Sequence, residues 1–327
     1  MSGIELLPVR RLVAERPQVR VTLLPGDRIV AAVGATVAAG DLLAERVRDP
    51  RLVEAGDGDP PSGTVHPGAW IAAEAGRRGT APAGELLFEH GGRRRIATGP
   101  HPDLVSAPAA GRVVAIRPGV DIVLEIDGIG IPGSELLGDP GHGRLALLPG
   151  DGEGRIPLEV AHAGAIVVFP GRADAETLTR ARAMGIAGAV VPALAERDRR
   201  DVVASEARQR AGLHRLPPFP VLVLDGYLRR TLARPMRDLL ATLDGEEVGL
   251  AGGPPLLLAA PRPSPPPQPA PDHVRVRGGP HAGHEGRFLG LAGPHRLGAG
   301  VVSEAARVRF PDGREVIVGL GDLERFA

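Results

Sequence analysis

The chain has 327 residues, 43% of them apolar and only 2% aromatic, and its 39 basic side chains balance 39 acidic ones. That length exceeds one small core and predicts two or three domains packed on aliphatic side chains. Zero net charge excludes a protein that coats nucleic acid nonspecifically, so any such contact has to come from a local patch. Cysteine and lysine are absent, which excludes disulfides, thiolate metal sites, iron–sulfur clusters, a cysteine nucleophile, a P-loop and a Schiff base.

At the N-terminus, MSGIELLPVRRLVAERPQV is interrupted by Arg10, Arg11 and Glu15. Without a leader-type apolar run, or roughly 18 consecutive apolar residues anywhere, the expectation is a soluble cytoplasmic protein with no membrane partner. PGDRIVAAVGATVAAGDLLAE, from Pro25 to Glu45, alternates short β-pieces with glycines. SAPAAGRVVAIRPGVDIVLEIDG, from Ser106 to Gly128, repeats the scheme, with Val113, Ala115, Ile122, Leu124 and Ile126 as period-two interior candidates. Between these half-repeats, LLFEH and RRRIATG predict a hairpin around Gly91-Gly92, with Arg93, Arg94 and Arg95 as solvated surface. GIGIPG, Gly128 to Gly133, fits the dinucleotide spacing. Pro132 and the residues after it deny the helix that this fingerprint needs.

The two half-repeats resemble the barrel-sandwich hybrid of biotinyl and lipoyl carrier domains. In that family a lysine on a hairpin turn carries the prosthetic group. This chain has none, so the resemblance implies a structural or docking module and no cofactor.

After Pro157 the period changes. GAIVVFPG (Gly164 to Gly171), IAGAVVPAL (Ile186 to Leu194) and FPVLVLDG (Phe219 to Gly226) are continuous apolar runs, the pattern of buried parallel strands. DAETLTRARAMG, with Asp174 as its cap, an arginine-rich stretch from Glu196 and ARPMRDLLATLDG supply the intervening helices; EEVGLAG is a fourth strand. Ligands in such sheets bind beyond the carboxyl ends of strands. That rule makes Gly171, Arg172, Asp225, Gly226 and Tyr227 small-ligand candidates, with tight turns, a cap and a solvated arginine as the structural reading of the same residues.

PRPSPPPQPAP, Pro261 to Pro271, predicts an extended spacer. VRVRGGPHAGHEGRF then begins a final β-unit. It resembles the KOW motif of ribosomal proteins and transcription elongation factors through Val274, Val276, Gly279, Pro280, Ala282, Gly283, Gly286 and Phe288. The resemblance implies a small SH3-like barrel whose glycine loop touches RNA or partner proteins. Carried over by position, the binding candidates are Arg275, Arg277, His281, His284 and Arg287. Eight arginines against six acidic residues from His273 onward give this unit a weak basic excess. His273, His281, His284 and His295 form no compact ligand set, so no metal is expected.

The expected fold is multidomain α/β plus β. A β-rich barrel-sandwich-like domain spans 1–148 and a three-layer α/β domain with a small parallel sheet spans 157–258. A proline-rich linker (259–272) leads to an SH3-like barrel (273–327). The expected function is a noncatalytic adaptor that contacts RNA, ribosome or RNA polymerase through that barrel. The alternative is a small-molecule sensor or structural scaffold with its ligand at the strand ends of the α/β domain. Oligomeric state is left open.

Overall fold

The computed structural model describes residues 3–46, 104–150, 158–207, 219–228, 230–261, 268–298 and 300–327 in full; between 47 and 103, and at 208–212, only the backbone of regular elements is described. The order begins with β1 (Val9–Arg10), β2 (Ala14–Glu15), β3 (Gln18–Thr22), β4 (Arg28–Ile29), β5 (Thr36–Val37) and β6 (Leu42–Val47). It continues with β7 (Leu52–Ala55), β8 (Trp70–Ile71), β9 (Glu74–Gly76), β10 (Gly79–Ala81), β11 (Gly84–His90), β12 (Arg93–Ala97), β13 (Pro102–Ser106), β14 (Gly111–Arg117) and β15 (Asp121–Ile126). Strands β11 and β12 pair as a hairpin; the Gly91-Gly92 turn and the side chains of Arg93, Arg94 and Arg95 lie outside the described residues.

The two half-repeats share one core. A sheet of order β3-β15-β14-β5 faces a second of order β13-β6-β4. Side chains alternate in β3, so Val19 and Val21 point inward while Gln18, Arg20 and Thr22 point to water. They meet Val113, Ile122, Leu124 and Ile126 from the second repeat and Val37 and Leu43 from the first.

The middle of the chain contributes β16 (Ile129–Pro132), β17 (Glu135–Leu137), β18 (Gly141–Leu147), β19 (Ala165–Val168), α1 (Ala175–Ala183), β20 (Gly188–Val191), α2 (Glu196–Gly212), β21 (Val221–Val223), α3 (Arg234–Ala241), β22 (Glu247–Ala251) and β23 (Leu256–Ala259). All three helices and all four strands expected after Pro157 are present. Strands β18 to β21 are parallel neighbours. Ile166, Val168, Val190 and Leu222 pack on one side with Met236, Leu239 and Leu240 of α3. Val167, Val191, Val221 and Val223 pack on the other with Leu178 of α1 and Val202 of α2. Burial on both faces is why these strands read as unbroken apolar runs.

Two expectations are corrected. The sheet is not small and purely parallel: nine strands run β17-β21-β20-β19-β18-β22-β23-β16-β2, and β22 is antiparallel to β18. Nor does a boundary fall at residue 148, because β2, β16, β17 and β18 pair into the same sheet as the later strands. GIGIPG supplies β16 and not a nucleotide loop. Under the antiparallel half of the sheet, Ala251, Leu256 and Leu258 join the core of the N-terminal β-unit. That unit therefore covers the sheet where α1 and α2 end.

The chain closes with β24 (His273–Val276), β25 (Glu285–Arg296), β26 (Val302–Arg309), β27 (Glu315–Gly319) and β28 (Leu323–Phe326). Their order is β28-β24-β25-β26-β27, and β1 from the other end of the chain adds to β28 in parallel. Val274, Val276, Phe288, Val308, Phe310 and Leu323 fill the interior, with Leu7 from the N-terminal segment. Both ends of the chain link these cores: Leu7 sits in the last core, and Leu12 and Phe326 sit in the core of the large sheet. Residues 262–267 of the proline stretch lie outside the described residues. Among the described residues no helix is long and apolar enough to cross a membrane.

Candidate functional site at the strand ends and the final β-unit

Strand β24 alternates as its sequence requires. Val274 and Val276 enter the interior of the last β-unit, so Arg275 must point the other way. That direction is occupied by the end of β21. The Arg275 side chain is only 1% exposed and donates to Asp225 Oδ2 at 2.8 Å and Oδ1 at 3.1 Å. On its other side it donates to Glu324 Oε1 at 2.6 Å, and Phe326 places its ring 5.4 Å from the guanidinium carbon. Arg10 of β1 also pairs with Asp225 and donates to the Leu224 carbonyl at 3.2 Å. Arg277 follows, half exposed, 3.8 Å from Glu324 Oε2. Two residues predicted for different sites, Arg275 and Asp225, are therefore bonded to each other.

The electrostatics follow from burial set against pairing. Burial pushes the Asp225 carboxyl up, but hydrogen bonds and charge from Arg275 and Arg10 outweigh it and hold it below the usual carboxylate range. Burial likewise lowers Arg275, and Asp225 and Glu324 more than reverse it. In this arrangement the Arg275 guanidinium is engaged by Asp225 and Glu324, and the Asp225 carboxylate by Arg275 and Arg10. At the strand end Asp225 is covered by Arg275 of β24 and Arg10 of β1, while Arg172 and Tyr227 remain exposed.

The other strand-end candidates have local partners. Gly171 is buried, and the carbonyl of Pro170 beside it accepts from Leu232 N at 2.8 Å. Arg172 is half exposed, 3.6 Å from Asp198. Gly226 adopts a positive φ of 81°, and its carbonyl accepts from Leu194 N at 3.0 Å. Tyr227 donates its hydroxyl to Glu135 Oε2 at 3.1 Å. Arg199 binds both Glu135 oxygens at 2.9 Å and, first among the causes, holds that carboxyl below its usual range. Asp174 accepts from Thr177 N at 2.8 Å and caps α1.

The glycine loop between β24 and β25 is partly exposed, as are the outer faces of β25 to β27. Gly279 and Pro280 are exposed, and Gly279 and Gly283 take φ of 74° and 91°, a region open chiefly to glycine. His281 and the exposed His284 place their rings 5.5 and 5.2 Å from that of Phe310. Arg287 is exposed and pairs with Asp272 at 2.6 Å. At the loop's far end the Glu285 carboxylate accepts from Arg234 N at 2.9 Å, at the start of α3, and lies 3.0 Å from His273 Nε2. Among the described residues no three metal-ligating side chains are grouped.

Arg10, Arg199, Arg230, Glu135, Glu285 and Glu324 were not named from the sequence as site residues. Each reaches a partner far along the chain, and no local spacing encodes such a contact. The alternation of LERF did place Glu324 opposite Leu323, which was a usable signal for an outward carboxylate. No known family model matches the chain, and neither does any curated protein.

Proposed function

We propose that this chain is a noncatalytic adaptor that contacts RNA, as in a ribonucleoprotein, through its final β-unit read as a KOW-type, SH3-like barrel. The observation that carries the reading is the exposed glycine loop between β24 and β25, with Arg277, His281, His284 and Arg287 around it. The strand order β28-β24-β25-β26-β27 supports the barrel reading. The barrel-sandwich-like N-terminal unit acts as a scaffold, since it lacks a lysine for a carried group. The alternative, a ligand at the strand ends, loses support because Asp225 is taken up by Arg275 and Arg10.

Point variants of the full chain provide the test. Deleting 274–327 would also remove Glu324 and Phe326 from the junction and confound binding with unfolding. Fluorescence anisotropy with a structured RNA is expected to show binding that weakens with added salt. A His281→Ala/His284→Ala/Arg287→Gln variant is expected to bind several-fold more weakly. RNA affinity indifferent to these three changes would defeat the proposal.

A further inference from the structure

Charges at the junction do not cancel. Arg10, Arg230, Arg275 and Arg277 converge there, and the carboxylates between them are Asp225 and Glu324. Asp225 is shared by Arg10 and Arg275, and Glu324 is bonded to Arg275. The neighbouring Glu285 accepts from Arg234 N, and His273 Nε2 lies 3.0 Å from its carboxylate. Arg230 has no carboxylate partner among the described residues. It donates to the Arg277 carbonyl, and its Nε is buried without a hydrogen-bond partner. Burial first, and the Arg275 charge second, pull its pKa below the usual guanidinium value. Asp225 and Glu324 act on Arg230 only through space, their hydrogen bonds being taken by Arg275 and Arg10, so its half-buried charge is incompletely compensated and favours an anion supplied from outside.

Its position indicates where that anion enters. The Arg230 stem lies against Gly283, and Arg277 begins the same glycine loop with half its side chain in water. We propose that Arg230 and Arg277 form a composite site for a phosphate-type oxyanion at the rim of the glycine loop, one guanidinium coming from each unit. Planar guanidinium forks match such oxygens, and charge-assisted bonds to them are the stronger kind. Free phosphate and an RNA phosphodiester present the same group; the RNA arm rests on the function proposed above, and the free-phosphate arm does not.

The test uses the full chain. Inorganic phosphate is titrated by calorimetry and a structured RNA by anisotropy, against wild type, Arg277→Gln, Arg230→Gln and, as a control on the open face of β26, Arg307→Gln. Each of the first two variants is expected to weaken phosphate binding about tenfold or more, and Arg307→Gln to leave it unchanged. Arg277 is half exposed, so its variant decides the matter if Arg230→Gln does not fold. Phosphate binding absent in wild type, or equal in wild type and Arg277→Gln, overturns the site. If RNA binding alone persists through both arginine changes, the site falls and the RNA reading stands. If phosphate binds with the expected losses and RNA does not bind, the site stands and the RNA reading falls.

Discussion

Asp225 has a side chain 2% exposed, between two guanidiniums. Because its folded pKa is depressed, its contribution to stability is present above the unfolded value of about 3.9 and is lost as pH falls through the folded value. Removing one member of such a buried pair costs about 3–5 kcal/mol, since the remaining charges keep their desolvation penalty. Asp225→Asn is therefore expected to lose about that much in urea unfolding at neutral pH, and less against wild type as both are taken below about pH 4. A loss independent of pH would mean that the Asp225 charge is not what holds the junction. The alternation of VRVR made an outward Arg275 readable. It carried no information on what that face meets, because Asp225 is 50 residues away in the chain.

At the scale of elements, local signals were sufficient wherever the structure is local. Asp174, Glu176 and the apolar spacing of Leu178 and Ala181 specify α1, and the Asp174 carboxylate caps it. Asp174→Ala is expected to cost about 1 kcal/mol, seen as a lower unfolding midpoint with earlier amide exchange in α1. An unchanged midpoint would show that the cap is redundant. The apolar runs of β19, β20 and β21 were legible because both faces are buried. The direction of β22 was not, since its apolar run Val248–Ala251 carries no directional signal and only its neighbours decide. The strands β16 to β18 were not read from the sequence, because their pairing partners lie far along the chain.

For the whole molecule, the seam between the N-terminal β-unit and the large sheet depends on close backbone approach. A Cβ on Gly249 would lie 2.0 Å from the carbonyl oxygen of Pro108, whereas one on Gly252 would meet only a Leu136 methyl at 3.7 Å. Gly249→Ala is expected to cost at least about 1–3 kcal/mol through forced backbone shifts, and Gly252→Ala far less. Thermal unfolding of the two variants measures the difference, and equal midpoints would show that the seam does not need this contact. The N-terminal segment ties the molecule further: Leu7 enters the last core, Arg10 the ionic junction and Leu12 the core of the large sheet.

The sequence by itself determined the three helices and four strands after Pro157, where the glycine loop lies, and which chemistries are absent with cysteine and lysine. These depend on neighbours within a few residues or on composition. Tertiary structure alone decided that β2 and β16 to β18 belong to one sheet with β19 to β23, that β1 adds to β28, and that Arg275 is bonded to Asp225 and not to solvent. Each of those depends on strand pairing or charge pairing between distant parts of the chain, and such pairing is chosen by the free energy of the assembled core.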